Sequence, residues 1–270
     1  MPRRSASGGA TSQPCATPAS RWSRRTCGDT ASRTCPLTTY DLASYSHDCH
    51  RLMAALGHRR FGVVAGDVGG AVAVDLVHRF PGAVHKLVYF NTVPPILLDE
   101  FVAAGIDLTT IRALGDGPTN DYQVDQGAHG DALIAELDTE AKRERWVRSF
   151  YTHRLLASPG AFGEADLAFM TEPFRSADRL RAAWAPYEAR YGRTQSEAPR
   201  MSEVVAVPTM VLYGPDDHVV GPDFVHCCEV AFTDRVGPLV IPGAGHFVQW
   251  ERADIVNPLV ATFFAGPHGS

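Results

Sequence analysis

The stretch Phe61-Gly62-Val63-Val64-Ala65-Gly66-Asp67-Val68-Gly69-Gly70-Ala71 constrains this chain most. Val63, Val64 and Ala65 form a short apolar run suited to a strand buried on both faces. Gly66, Gly69 and Gly70 permit close backbone approach, and Val72, Leu76, Val77 and Phe80 follow at helical spacing. The segment therefore predicts a strand, a sharp turn and a helix start, with Asp67 on the bend. Small-x-Asp-x-small has the form of a nucleophile elbow, in which a strained turn lifts one reactive side chain above a sheet. Asp67 as an ordinary N-cap of the next helix, with Val68 at the first helical position, fits the same letters.

The flanking segments place this unit in an α/β context. Leu42, Tyr45, Leu52, Met53 and Leu56 share a helical face that stops at Gly57, and Pro81-Gly82 separates the elbow helix from a second strand, Val84 to Phe90, ending at Asn91. Helix, strand, helix, strand implies a mostly parallel sheet covered on both faces, with ligands at the carboxyl ends of its strands. Residues 40–94 form the first part of that core. Residues 95–203 change texture, with helical segments, four tyrosines (122, 151, 187, 191) and no clear strand, as in an inserted helical cap. The alternation resumes over 204–266 with a strand from Val207 to Gly214, a loop Pro215-Asp216-Asp217-His218, a second strand Pro238 to Ile241 ending in Pro242-Gly243-Ala244-Gly245-His246, and a helix over about 253–264. Residues 267–270 are a tail.

At 270 residues and 45% hydrophobic content the chain can bury a sizeable core. No apolar run approaches the roughly 20 residues that span a bilayer, and the start lacks a secretory h-region, so the expected compartment is the cytoplasm. The six cysteines include the adjacent pair Cys227-Cys228 and are read as free thiols. Formal charge is −5, and residues 40–270 carry 19 basic against 29 acidic groups, which argues against a nucleic-acid partner. No His, Cys and acid spacing suits a metal, and no cofactor is expected.

Asp67, Asp217 and His246 thus fall at the ends of separate strands in the order nucleophile, acid, base. His218, beside the acid, is a rival base in a poorer position. On these residues the chain resembles the α/β-hydrolases with an aspartate nucleophile, the epoxide hydrolase and haloalkane or haloacetate dehalogenase group. The likeness spans residues 40 to about 264 and is carried by Tyr40-Asp41-Leu42, Gly66-Asp67-Val68-Gly69-Gly70, Val207-Pro208-Thr209 to Asp217, and Gly243-Ala244-Gly245-His246. A carboxylate, with an ordinary pKa of about 3.9, is already ionised and attacks an electrophilic carbon without a base. His246 is then needed to activate water against the resulting ester, Asp217 to orient the imidazole, and the Val68 backbone N–H to stabilise the oxyanion. The resemblance further implies two tyrosines that hold the epoxide oxygen. Asp121-Tyr122-Gln123 matches the segment carrying the first. Tyr187 is the second candidate, although the family usually has Trp directly before it and this chain has Pro186; Tyr191 and Tyr151 are fallbacks. Dehalogenases typically follow the nucleophile with Trp or Arg, whereas Val68 offers no side-chain donor, which favours epoxide opening over halide release. The expected partner is a small epoxide or haloalkane-like molecule, with oligomeric state left open.

A family member should also carry earlier strands and a His-Gly-x-Pro loop, absent from residues 1–39, a tract rich in Arg, Ser, Thr, Pro, Gly and Cys. By composition alone that tract suits a transit peptide or a disordered tail. Back-translated and read two bases out of register, Arg21 to Cys35 can yield Val-Val-Ala-Pro-Asp-Leu-Arg-Gly-Tyr-Gly-Val-Ser-Asp-Val-Pro, which resembles the family's missing strand. The expectation is therefore a frameshifted N-terminus, an open apolar edge on the elbow strand, and a chain that is poorly soluble or a non-catalytic remnant.

Overall fold

The computed structural model describes residues 40–111, 121–155, 160–191 and 197–266. The tract proposed as frameshifted, residues 1–39, lies outside the described residues, as does the 267–270 tail.

Four parallel strands form one sheet among the described residues, β1 (Phe61–Gly66), β2 (Val84–Phe90), β3 (Thr209–Tyr213) and β4 (Arg235–Val240), in the order β1-β2-β3-β4. Gly66 lies beside Phe90 and Phe90 beside Leu212, one residue before β3 ends at Tyr213, so the three strands end within one residue of one another. The next residues, Asp67, Asn91 and Gly214, therefore emerge side by side at the carboxyl edge, where parallel sheets place ligands. The helix α1 (Leu42–Ala55), capped by the Asp41 side chain on the Ser44 N–H, packs on α2 (Val68–Arg79). Val74 of α2, Leu87, Val88 and Tyr89 of β2, and Val211 and Leu212 of β3 are fully buried.

Between β2 and β3 the described chain is helical: α3 (Leu98–Ala103), α4 (Asp121–Gly127), α5 (Gly130–Glu136), α6 (Glu140–Ser149), a π-helical turn Phe150–Arg154, α7 (Glu164–Thr171), α8 (Ala177–Ala183) and α9 (Ala185–Arg190). The chain closes with α10 (Asp223–Ala231), α11 (Val248–Glu251) and α12 (Ala253–Ala265). None of the described helices is long and apolar enough to cross a membrane.

Two sequence expectations need correction. β1 is not buried on both faces: Val64 is 40% exposed, because β1 is an outer strand of the four described. β4 starts at Arg235 rather than Pro238 and ends at Val240. Gly237-Pro238 looked like a strand boundary, but β4 pairs through it on one side only, and an outer strand tolerates a residue without an N–H.

Candidate active site

Asp67 occupies the turn between β1 and α2 with φ 49° and ψ −141°, a left-handed backbone that a non-glycine residue rarely takes. It stands at the N-cap position yet its side chain makes no capping hydrogen bond. The carboxylate is thus left half-exposed at the sheet edge. Small neighbours make the turn possible. A Cβ on Gly66 would sit 2.7 Å from the Phe90 carbonyl, and one on Gly70 2.5 Å from the Thr92 side chain. Gly69, expected to serve the same close approach, meets nothing within 4 Å and instead lines a cavity, since it lies one turn-step round the helix on the open side. Val68 opens α2, so its N–H is among the helix-start donors without an intrahelical acceptor, and it lines the same two cavities as Asp67.

Asp217 and His246 approach from the loops after β3 and β4. His246 Nδ1 lies 2.8 Å from Asp217 Oδ2, and both side chains are almost fully buried. Asp217 Oδ1 accepts the N–H groups of Val219 and Val220. Burial alone would raise the Asp217 carboxyl, but the imidazole, those N–H groups and Asn91 hold it below its ordinary value. On the other side of the ring, His246 Nε2 makes no hydrogen bond to the described residues and lies 3.7 Å from Asp67 Oδ2. That is an ion-pair distance rather than a hydrogen bond, so Asp67 acts on the imidazole through its charge. Burial opposes the imidazolium, yet the two flanking carboxylates prevail and raise His246 to about 10. His218 pairs instead with the Arg154 carbonyl through Nδ1, at 2.7 Å, and lines neither cavity at Asp67.

Sequence reasoning assigned no role to Asn91, which joins all three loops. Fully buried at φ 37°, it accepts the Asp67 N–H through its backbone carbonyl at 3.0 Å. Its side-chain amide donates to Asp217 Oδ2 at 2.8 Å and to the Gly214 and Gly245 carbonyls, while its Oδ1 accepts the Gly214 N–H. The available signal was an amide residue directly after the apolar end of a strand, Leu87 to Phe90. Gly214 completes the junction, because a Cβ there would stand 2.3 Å from the Gly245 carbonyl.

The helical segment supplies the opposite wall. Tyr122 on α4 and Tyr187 on α9 meet edge to face with ring centroids 5.8 Å apart, and both line the two cavities that share Asp67 and Val68. Gly127 lets the helices approach this closely: a Cβ there would lie 2.7 Å from the Tyr187 carbonyl and 2.4 Å from the Tyr191 ring. Burial first, then the Asp67 charge, raises the Tyr122 phenol above its ordinary value, with Gln123 and the Tyr187 hydroxyl partly offsetting this. Tyr187 is raised by burial and then by Tyr122 and Asp67. Both hydroxyls therefore stay protonated at neutral pH. Tyr151 lines the first cavity and is raised to about 12, by burial and then by Asp67. Tyr191 lines neither cavity and packs on Gly127.

The first cavity, about 290 Å³, is walled by Trp146, Phe150, Tyr151, Phe174, Trp184 and Phe247. The second, about 420 Å³, is walled mainly by Leu42, Val93, Ile96, Met201, Val219 and Val220, with His246 at its edge. Among the described residues no group of three or more His, Cys, Asp or Glu could hold a metal ion. Cys227 and Cys228 are free thiols, whereas Cys15, Cys27 and Cys35 lie outside the described residues.

A strained carboxylate above a parallel sheet thus faces a buried acid–imidazole pair, with a helical wall beside them. Residues 22–253 match the family model of the alpha/beta hydrolase fold, and the chain belongs to that family. The match begins upstream of Tyr40, where the sequence resemblance was read to start. Within that family the chain is 23% identical over 234 residues to the soluble epoxide hydrolase of Corynebacterium sp. (strain C12), covering 85% of this chain and 76% of that protein. It is also 27% identical over 225 residues to the 2-hydroxy-6-oxononadienedioate/2-hydroxy-6-oxononatrienedioate hydrolase of Paraburkholderia xenovorans (strain LB400), covering 79% of this chain and 65% of that protein. Among solved structures, the epoxide hydrolase CorEH without ligand shares the fold with a TM-score of 0.66 at 21% identity, over 85% of this chain and 76% of that one.

Proposed function

We propose that the protein opens an epoxide to a vicinal diol through a covalent ester on Asp67. The observation that carries this reading is the pair of protonated phenols, Tyr122 and Tyr187, standing with the Asp67 carboxylate around shared cavities. A nucleophile on one wall and two O–H donors on the other suit a three-membered ring whose carbon is attacked as its oxygen is drawn away.

The charges give the cycle a definite proton count. At rest Asp67 is ionised, His246 is an imidazolium held between two carboxylates, and Tyr122 is neutral. An Asp67 oxygen attacks a ring carbon, the C–O bond breaks with its electron pair on oxygen, and that oxygen takes the Tyr122 proton. The ester now formed is neutral, so His246 loses one of the two charges that raised it. Its proton returns to the Tyr122 phenolate, leaving a neutral imidazole oriented by Asp217. That imidazole accepts a proton from water as the water attacks the ester carbonyl, with the Val68 N–H on the oxyanion. Collapse releases the diol and restores the Asp67 carboxylate and the imidazolium.

The substrate is a small neutral molecule with apolar substituents, matched to the aromatic cavity on one side of Asp67 and the aliphatic one on the other. Cytoplasmic placement and the lack of a nucleic-acid partner belong to this proposal, resting on the chain's composition and formal charge of −5.

Halide release is the second reading. Trp146 Nε1 is buried with no hydrogen-bond partner among the described residues, and Trp146 lines the first cavity with Asp67. Single-turnover hydrolysis of epoxides and of haloalkanes in ¹⁸O-labelled water, with mass analysis of peptides and assay of diol and halide, decides between the readings. The proposal expects diol formation from aryl and alkyl epoxides with label retained in the Asp67 peptide. Label confined to the diol overturns the covalent route, halide release without epoxide turnover favours the second reading, and neither activity marks a non-catalytic remnant.

A further inference from the structure

Resting on the epoxide reading, this inference concerns what makes Tyr122 an effective proton donor. Its surroundings work against it, because burial and the Asp67 charge both oppose a phenolate there. Gln123 and the Tyr187 hydroxyl work the other way, offsetting part of that rise. Gln123 Nε2 donates to the Tyr122 hydroxyl oxygen at 3.2 Å, and Arg190 donates to Gln123 Oε1 at 2.6 Å. A guanidinium has only donors, whereas a primary amide has a donor end and an acceptor end. Arg190 on the oxygen end therefore leaves the NH₂ end facing Tyr122. Turned over, Gln123 would present its oxygen, capture the phenol proton and take it away from the substrate.

We infer that Arg190 is a positioning residue acting through Gln123: it fixes the amide so that the Tyr122 proton stays available to the epoxide oxygen and the phenolate left behind receives a hydrogen bond. The two residues join the tyrosine-bearing helices, Gln123 following Tyr122 on α4 and Arg190 lying one turn beyond Tyr187 on α9. Gln123 is buried and Arg190 exposed. Solvent screens the guanidinium charge, so its contribution is mainly orientation. In the step concerned the Asp67–carbon bond forms, the ring C–O bond breaks, and the proton moves from Tyr122 to the new hydroxyl; the amide N–H stabilises the phenolate oxygen until the proton returns from His246.

The test uses the 270-residue chain, styrene oxide at saturation, and separate single-turnover rates for alkylation of the Asp67 peptide and for hydrolysis of the ester. Loss of one hydrogen bond of this kind corresponds to roughly a tenfold change. Q123L is expected to slow alkylation about tenfold. Q123E should slow it at least as much, since a carboxylate can still pair with Arg190 but cannot donate to Tyr122. R190M should slow it about threefold to tenfold, R190K should recover most of the rate because an ammonium also only donates, and Q123L/R190M should be no slower than Q123L. Ester hydrolysis should be unaltered throughout. A merely structural pair predicts the reverse pattern, with Q123E at the wild-type rate and both half-reactions falling together with melting temperature. Either that pattern or an unchanged alkylation rate in R190M overturns the inference while leaving the epoxide reading intact. If the wild-type chain forms no Asp67 adduct, both fall together.

Discussion

The two walls of the site are held by different means. On the sheet side, Asp67, Asp217 and His246 are placed mainly by backbone, through closely aligned strand ends, a left-handed turn and N–H groups on Asp217, with the Asn91 side chain tying the loops together. On the helical side, Tyr122 and Tyr187 are placed by side chains and one glycine contact, with Gln123 and Arg190 behind them. Backbone placement tolerates little change and leaves motifs in the sequence. Side-chain placement can be retuned one residue at a time, which suits the wall that, in the proposed reaction, receives the epoxide oxygen.

The largest expected effect comes from the sheet side. H246Q should trap the Asp67 ester, lowering steady-state turnover by about 10³ or more while the alkylation burst persists, since in the proposed cycle the imidazole, set between Asp67 and Asp217, is needed only after the nucleophile has acted. Intact-protein mass spectra should show the adduct; an H246Q chain that neither turns over nor gains mass would place His246 before the first chemical step. Next in size, Y122F removes one hydroxyl and little volume, and should slow alkylation by about 10² with ester hydrolysis unaltered. Equal slowing of both half-reactions would dissolve the contrast between the walls.

G127A tests the helical wall without touching a reacting group. The new Cβ would press on the Tyr187 carbonyl and the Tyr191 ring, separating α4 from α9. Alkylation should fall about tenfold and stability by about 1–3 kcal/mol, the range for overpacking. Unaltered alkylation in a destabilised protein would mean that the tyrosine pair does not need its close spacing.

The smallest effect concerns pH. His246 is raised in the folded state, so its contribution to stability is fully present below its unfolded value of about 6.5 and is lost as pH climbs through about 10. Melting temperature should decline across that window, and the decline should shrink in H246Q. A pH-independent melting curve for the wild-type chain would show that the imidazolium gains nothing from its two carboxylates.

Much of the sheet side was legible because its signals are local. The run Val84 to Phe90 matches β2 at both ends, and Asp67 follows an apolar strand and precedes glycines, as an elbow demands. The β4 start was missed because Gly237-Pro238 reads as a break unless one knows that the strand lies at the sheet's edge, a fact of tertiary order. The open side of Gly69 was invisible for a similar reason: a glycine's letter does not say whether its missing side chain avoids a wall or leaves a cavity. On the helical side, Tyr122 stood out through Asp121 and Gln123, but the partnership of Gln123 with Arg190 spans 67 residues and follows no periodicity. Asn91 was passed over as a strand terminator, since an amide's value lies in how many loops reach it.

The imidazole between two carboxylates also bears on what must travel in and out of the pocket. Counting Asp67, His246 and Asp217 together, the resting site carries one net negative charge, and in the proposed cycle the esterified site with its neutral imidazole carries the same. The enclosure is electrically invariant at these two stations, so no small ion need accompany the organic cargo through the apolar walls. An enzyme built this way should handle neutral substrates at a pace nearly indifferent to the salinity of its surroundings.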